Sequence, residues 1–531
     1  MINLKINNMQ LTVAPGTTLL QAAQQLNIEI PTLCYMADYE PYTSCMLCVV
    51  QDIKSDQLLP ACSARVVNGM VIETENEKVR QARKDTLDLL LSEHLGNCEA
   101  PCMRACPAYM DIPLMIRYIK ERKFNEALIT VKKSIALPAV LGRICPAPCE
   151  RGCNRKYLDH TLNICLLKRF VADVDLYSDK PYLPVCKKDS GKKVAIVGAG
   201  PTGLAAAYFL RQKGHSCYIY DSNREPGGLM RYAIPDEKLD KNVLDTEIQL
   251  IRKLSVKFHM NMTLGKDISL AELRQNYNAV ILAMGTINRD SDFVKDIKVF
   301  SRGILVNSRT FETNLPGVFA GGNAIAEGRM AIRSLAHGRF IAHSVDQLLT
   351  NLPITGFPRR FNSVLGRLTV DEGEEYAKQA DKSATISPQK GIMQGYLASE
   401  AVEESKRCFR CDCRKQVSCK LREYADRYHA SQLRFKTGER KKFSLVVQHE
   451  SVLYEPGKCI KCGLCVQITE KAGEKFGLTF IDRGFDIRVA VPLNENLQKG
   501  LEKVARQCVE ACPTAALALN NHFEVLEDVA T

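Results

Sequence analysis

The chain of 531 residues contains no tryptophan, and aromatic residues make up only 7% of it. Proteins that grip single-stranded nucleic acid stack bases on aromatic faces, so this scarcity argues against such a platform even at a formal charge of +12. No run approaches the ~18 consecutive apolar residues of a membrane span. The opening stretch MINLKINNMQ lacks the charged and apolar regions of a secretory leader. These absences predict a cytoplasmic chain with no membrane span and no nucleic-acid partner. A reducing compartment in turn disfavours disulfides as the reason for 22 cysteines. Bunched at short spacings, they point to metal.

The chain has one glycine fingerprint and no second. In Val194 to Gly203, VAIVGAGPTG, a β-branched strand enters Gly198-x-Gly200-Pro201-x-Gly203 and continues into the helical pattern LAAAYFLRQ. The first glycine makes the tight turn, the second lets the backbone approach a pyrophosphate at the helix N-terminus, and the third lets helix and strand pack closely. Asp221 ends the next strand and suits a ribose hydroxyl. The strand-turn-helix context predicts a dinucleotide site rather than an ordinary βαβ unit.

The cysteines fall into five groups along the chain. The first region opens with two predicted strands, Ile2 to Ile6 and Gln10 to Val13, and a helix begun by a Thr18-x-x-Gln21 capping box. Then come Cys34, Cys45, Cys48 and Cys62, a C-x10-C-x2-C-x13-C series. Four thiolates spread over a loop and a later strand can hold two sulfide-bridged irons, whereas structural zinc prefers paired C-x2-C knuckles. A helical block follows with two triplets, Cys98, Cys102 and Cys106-Pro107, then Cys145-Pro146, Cys149 and Cys153, with Cys165 on the pattern LNICLLKRF. Interleaved triplets suit two cubane clusters that exchange ligands. Residues 354 to 405 read as polar and mostly helical. They lead to Cys408, Cys411, Cys413 and Cys419, a closed four-cysteine site for a cubane or for zinc. The last region opens with the strand pattern KFSLVVQ and carries Cys459-x2-Cys462-x2-Cys465. Thr469 stands where the ferredoxin series would place a fourth cysteine, so Cys512, before Pro513, completes the set and Cys508 is left over. Cys186 and Cys217 have no partner in spacing and read as structural.

The N-terminal series resembles the ferredoxin-like domain of complex I's large subunit and of iron-only hydrogenases. Residues 98 to 350 resemble the small subunit of glutamate synthase and the N-terminal half of dihydropyrimidine dehydrogenase. The carriers are CEAPCMRACPAYMDIP, ICPAPCERGC, VAIVGAGPTGLAAA, EPGGLMRYAIPDEKL and GVFAGGNAIAEG. The resemblance implies FAD in the dinucleotide site, one cube on Cys98, Cys102 and Cys153, and another on Cys106, Cys145 and Cys149. The family usually has one more cysteine ahead of Cys98, and this chain has His94 instead. A His-x3-Cys start also opens the histidine-ligated cube of complex I's large subunit, so His94 is a candidate ligand, against its being a cap or surface residue. Cys165 is the candidate fourth ligand of the other cube, because Lys168 at the aligned place cannot ligate while protonated. Gly227, Gly228 and Leu229 match the family's second FAD contact, Lys238 a basic FAD position, Gly285 the pyrophosphate edge, and Gly322 with Asn323 the closing motif. Relatives carry Asp at 323; Asn323 keeps a hydrogen bond to the ribityl chain and removes a negative charge. The family's inserted NADPH domain needs on the order of 100 residues, and only the segment from Thr286 to Pro316 fills that place.

The resulting expectation is a multidomain α/β and α+β protein. It comprises a β-grasp [2Fe-2S] ferredoxin-like domain at 1–80, a helical domain with two [4Fe-4S] clusters at 81–188 and a Rossmann-like FAD domain at 189–352. A linker with a four-cysteine site at 353–434 and a C-terminal [4Fe-4S] ferredoxin-like domain at 435–531 follow. The expected cofactors are FAD, one [2Fe-2S] and about four [4Fe-4S] clusters, whose negative charge would offset much of the basic excess. The expected role is that of an electron-transfer subunit in an anaerobic multi-subunit oxidoreductase of hydrogenase, formate dehydrogenase or NAD(P)H-ferredoxin type. Its partners would be other subunits of that complex, with a ferredoxin as a further candidate. A self-contained reductase of a small molecule and a mainly structural bridge are the alternatives. No side chain stands out as acid, base or nucleophile, so no catalytic residue is expected.

Overall fold

The computed structural model describes residues 1–287, 295–328, 330–436, 438, 440–520 and 524. The chain folds into two compact units that interleave in sequence. Unit 1 takes Met1–Ala100, Arg360–Ala380 and the chain from Phe409 onward; unit 2 takes Pro101–Arg359 and Asp381–Cys408. The segment expected to be a linker is therefore divided between two cores.

Unit 1 begins with a five-stranded sheet in the order Met9–Val13, Ile2–Ile6, Val71–Glu73, Val49–Asp52, Gln57–Pro60. Asn7 and Asn8 both have positive φ, 46° and 68°, the signature of the two-residue turn whose twist matches its flanking strands. Thr18 and Gln21 form the reciprocal capping box that starts the helix Leu19–Gln25. That helix buries Leu19, Leu20, Ala22 and Ala23 against Ile6, Val50 and Ile72 of the sheet. The last part of the chain pairs Val452–Tyr454 with Leu517–Leu519 and packs the helices Leu464–Lys471 and Ala505–Ala511 on them. KFSLVVQ does not form the expected strand. It joins the sheet only through a bridge between Val446 and Tyr454, and Glu372 and Glu375 accept from the backbone N–H of Phe443 and Leu445 instead.

Residues 38–42 and 463–471 meet inside unit 1. Gln467 Nε2 donates to the Glu40 carbonyl at 2.9 Å and Lys471 Nζ to that of Asp38 at 3.3 Å. Gly463, at φ +78°, lies so close to Tyr42 that a Cβ there would come within 1.9 Å of the ring. Cys34, Cys45, Cys419 and Cys462 share one apolar core with Leu47, Leu91 and Leu464.

Unit 2 is built on a five-stranded parallel sheet, Lys257–Met260, Ser216–Asp221, Lys193–Val197, Ala279–Leu282, Val318–Ala320. This is the order of a dinucleotide-binding half, with the first strand at its centre. The helix Ala331–Leu349 crosses Pro201–Gln212 where Gly338 lets the backbones touch; a Cβ there would meet the Thr202 carbonyl at 2.3 Å. Short helices fill the region before the sheet. Pro138–Ile144 packs on Ile164–Leu176, joined by the Arg143–Asp173 pair at 2.7 Å. Glu247, from the helix Lys241–Lys253, accepts from the backbone N–H of Ala139 and Val140, both at 2.9 Å. Residues 354–405 contain only the helices Val370–Ala377 and Ala398–Lys406. Pro358, Pro388 and positive-φ glycines at 356, 366, 391 and 395 break the rest.

Candidate functional site

In the N-terminal domain Cys34, Cys45, Cys48 and Cys62 are all buried and gather at one end of the sheet. Cys34 Sγ lies 3.3 Å from Cys45 Sγ. Hydrogen bonding to Cys45 pulls the Cys34 thiol down, and hydrogen bonding to Cys62 pulls that of Cys48 down. Their partners Cys45 and Cys62 are pushed up by those same contacts. Four sulfurs in mutual reach, with little water, fit a two-iron core whose positive charge would neutralise the thiolates.

In unit 2 one cavity is lined by all four cysteines of the second expected cube, Cys106, Cys145, Cys149 and Cys165. Pro146 and the left-handed Ala147 (φ 46°) turn the chain out of the helix ending at Ile144 and into the one starting at Pro148, presenting Cys145 and Cys149 together. Contact with Cys165 draws the Cys145 thiol down to about 6, and Cys165 is pushed up well above its usual value. Lys168 lines the cavity too, fully buried, with Nζ donating to the Leu141 carbonyl at 3.2 Å. Burial opposes its charge, yet Cys165, Cys145, Cys149 and Cys106 together hold its pKa above the ordinary lysine value. It is thus a buried cation enclosed by four cysteines.

The C-terminal cavity is lined by Cys459, Cys462, Cys465 and Cys512, among Tyr454, Leu464 and Leu517. Burial pushes up the thiols of the first three, so each would give up its proton only to a cationic core. Thr469, in the place of the missing cysteine, donates to the Val466 carbonyl and accepts from Leu478 N–H, a purely structural use. Cys508 is fully buried on the neighbouring helix, 3.8 Å from the Cys465 carbonyl, and does not line the cavity. Cys217 lies in the core strand Ser216–Asp221 and Cys186 is half-buried near the Pro184 carbonyl.

The remaining expected ligands divide between the units. His94, Cys98, Cys411, Cys413 and Cys419 belong to unit 1; Cys102, Cys153 and Cys408 belong to unit 2.

At the dinucleotide site Gly198 has φ +110°, and a Cβ there would lie 2.3 Å from the Ala283 carbonyl; one at Gly203 would lie 1.9 Å from the Gly198 carbonyl. The helix Pro201–Gln212 starts at Gly200 without a side-chain cap, leaving its first N–H groups aimed at the loop. Gly227 donates to the Ala199 carbonyl, which brings Gly228 to the edge of Gly200. Leu229 is 59% exposed beside this loop, an apolar surface suited to contact with a cofactor. Gly285, at φ +85°, has open space where its side chain would point. Lys238 is exposed and Asn323 half-buried. Asp221 is less available than its position suggests: it accepts from Ala199 N–H at 2.6 Å and from both nitrogens of Asn223 at 2.8 Å. It thus positions the glycine loop and keeps only part of its acceptor capacity for a ribose.

Sequence reading missed His337. Its Nδ1 accepts from Gly322 N–H at 3.1 Å, fixing the closing loop, and burial lowers its pKa to about 4, so the ring is neutral. Only its place on the helix after the closing motif could have signalled it. On the same helix, Ile332 lines the cavity of Cys106, Cys145, Cys149 and Cys165.

Residues 1–77 match the model of a 2Fe-2S iron-sulfur cluster binding domain, 75–180 that of dihydropyrimidine dehydrogenase domain II with a 4Fe-4S cluster, and 196–262 that of an NAD(P)-binding Rossmann-like domain. The chain is 43% identical over 188 residues to NADPH-Fe(3+) oxidoreductase subunit beta of Geobacter sulfurreducens, covering 35% of this chain and 28% of that protein. It is 34% identical over 267 residues to NADP(+)-dependent formate dehydrogenase subunit beta of Moorella thermoacetica, covering 44% and 38%. With the glutamate synthase [NADPH] small chain of Bacillus subtilis it shares 38% identity over 182 residues, covering 34% and 36%. The chain thus spans well under half the length of these relatives, and it carries the iron–sulfur and Rossmann-type domains expected from its motifs. None of the helices described is long and apolar enough to cross a membrane.

Proposed function

We propose that this chain is the electron-transfer subunit of a multi-subunit oxidoreductase, moving electrons between FAD and a set of iron–sulfur clusters. The observation that carries the reading is the helix Ala331–Leu349. Ile332 lines a cavity of four cysteines, and His337, five residues on, holds the closing loop of the dinucleotide site. At about 1.5 Å of rise per residue, these two points are on the order of 8 Å apart along the helix. Ile332, Leu335, Ala336 and Ile341 of this helix share one core with Cys106 and Cys149, so the helix is held against the cavity by packing rather than by a tether.

FAD, when bound, supplies the exchange between two-electron and one-electron chemistry that neither cluster nor side chain provides. The chain's own residues position it. The uncapped helix at Gly200 receives the pyrophosphate, Gly228 and Gly285 leave room for the backbone of the cofactor, and neutral His337 sets the closing loop. Asn323 places an uncharged amide where a carboxylate would disfavour an added electron. Within unit 1, the shared core of Cys34, Cys45, Cys419 and Cys462 supports a short relay between the first and last cysteine groups.

Anaerobically prepared protein is expected to hold one FAD and about 18 irons, from one two-iron and four four-iron sites. Zinc in place of one cube lowers this to about 14. A content near 10 would remove both cubes of the helical block and with them the proposed partner of the flavin. Isolation of the native assembly, with its other chains identified by mass spectrometry, tests the partner class; a chain that purifies alone and reoxidises its flavin with a small molecule would favour the self-contained reductase.

A further inference from the structure

Cys98, Cys413 and Cys419 are buried in unit 1, with residue exposures of 7, 7 and 6%. Spacing assigns them to two different groups, but a backbone bond joins the groups: Cys413 N–H donates to the Cys98 carbonyl at 3.1 Å. Ser363 N–H points at Cys98 Sγ, 3.4 Å away, and Cys98 N–H returns a bond to the Ser363 carbonyl. Cys413 and Cys419 both lie in electrostatic reach of Cys98, and Cys419 also of Cys413.

His94 lies four residues before Cys98, in the irregular stretch after the helix Glu77–Ser92. Its Nδ1 is buried and has no hydrogen-bond partner. It shares a neighbour with two of the thiols: the charge of Lys458 acts on His94, on Cys98 and on Cys413. Lys458 is itself buried, bonded to Glu455 at 2.8 Å, with its chain pressed against Gly96 so tightly that a Cβ there would come within 2.5 Å. An orphaned imidazole nitrogen and two buried thiols around one buried cation, with the Cys419 thiol in reach of both thiols, form a donor set of the kind that holds a cubane. In unit 2, Cys102 and Cys153 are brought together by the contact of Gly152 with the helix Pro101–Ala105. Arg155 Nη1, two residues past Cys153, bonds to the carbonyl of Arg407, the residue before Cys408, at 2.7 Å, and the Arg407 charge reaches Cys153.

We propose that Cys98, Cys413 and Cys419, with His94 as fourth donor, hold one iron–sulfur cluster within unit 1, and that Cys102, Cys153 and Cys408 act together in unit 2. The inference rests on the reading that these cysteines bind iron and sulfide, and it redistributes the groupings that spacing suggests. Lys458 would then serve this cluster as Lys168 serves the other, as a buried counter-charge.

The test is electron-nuclear resonance on the full-length, anaerobically isolated, dithionite-reduced protein, prepared with and without ¹⁵N-histidine. One cluster signal is expected to carry a directly bonded nitrogen that responds to the label. His94→Cys is expected to remove that coupling while iron is retained. Cys98→Ser and Cys413→Ser are expected to alter this same signal, and Cys102→Ser a different one. Cys413→His keeps a donor in place should the serine variants fold poorly, and it should add a second nitrogen coupling to that signal. Joint perturbation of one signal by Cys98→Ser and Cys102→Ser, or by Cys413→Ser and Cys408→Ser, overturns the proposal, as does a label that couples to no cluster. Absence of iron and sulfide from the wild-type protein would instead overturn the functional reading beneath it.

Discussion

Lys168 is the residue whose charge bears most evenly on a cysteine set, since all four thiols of its cavity act on it. A unit charge ~8 Å from a cluster at an effective dielectric of about 20 is worth ~2 kcal/mol. Lys168→Met is therefore expected to lower that cluster's midpoint potential by on the order of 100 mV, at ~59 mV per tenfold change for one electron. Potentiometric EPR checks this, and an unmoved potential would leave Lys168 a space-filler. Cys508 and Cys512 make a sharper pair, because they share a helix end and only Cys512 lines the cavity. Cys512→Ser is expected to remove or convert the C-terminal cluster's EPR signal and Cys508→Ser to leave it; equal effects would refute the assignment. His337 gives a pH dependence. Its folded pKa of about 4 lies below the unfolded value of 6.5, so on acidification the unfolded chain takes up the proton first. The stability held in the neutral ring is complete above pH 6.5 and is lost as pH falls toward 4, by at most ~3 kcal/mol. Flavin retention should thus fall more steeply over that window in the wild type than in His337→Asn, whose amide can still accept from Gly322; parallel curves would contradict it.

Among elements, the crossover between Ala279–Leu282 and Val318–Ala320 decides whether pyridine nucleotides can be used. Residues 288–294 lie outside the described part; beyond them only a hairpin of Val299–Phe300 and Gly303–Ile304 occupies the place of the NADPH domain that the resemblance implies. NADH and NADPH are therefore expected to leave the flavin of this chain oxidised in anaerobic stopped-flow mixing, and bleaching within seconds would show a nicotinamide site elsewhere. Elements written in local sequence were legible: the Asn7-Asn8 turn, the Thr18 box and the Gly198 loop each depend on neighbours a few residues apart. KFSLVVQ was misread because its alternation is satisfied by glutamates on the helix Val370–Ala377, about 70 residues away. The proximity of Cys98 to Cys413 spans more than 300 residues, and no local spacing encodes it. Asp221 was placed correctly on its strand, but its bond to Ala199 N–H depends on loop geometry that a motif does not specify.

At the scale of the whole molecule, the chain interleaves its units so that its first and last cysteine groups share a core, while the Rossmann-type sheet and the cavity at Cys106 share another. Direct passage of electrons between the flavin and the cluster of Cys106, Cys145, Cys149 and Cys165 is the step that the proposed function requires. Flash photoreduction of the flavin in the anaerobic, fully oxidised protein, followed by rapid freeze-quench EPR, measures this without any partner. Flavin reoxidation and the appearance of a cluster signal are expected to proceed at one rate, and Cys165→Ser to abolish or slow both together. A flavin that stays reduced while every cluster remains oxidised would contradict it.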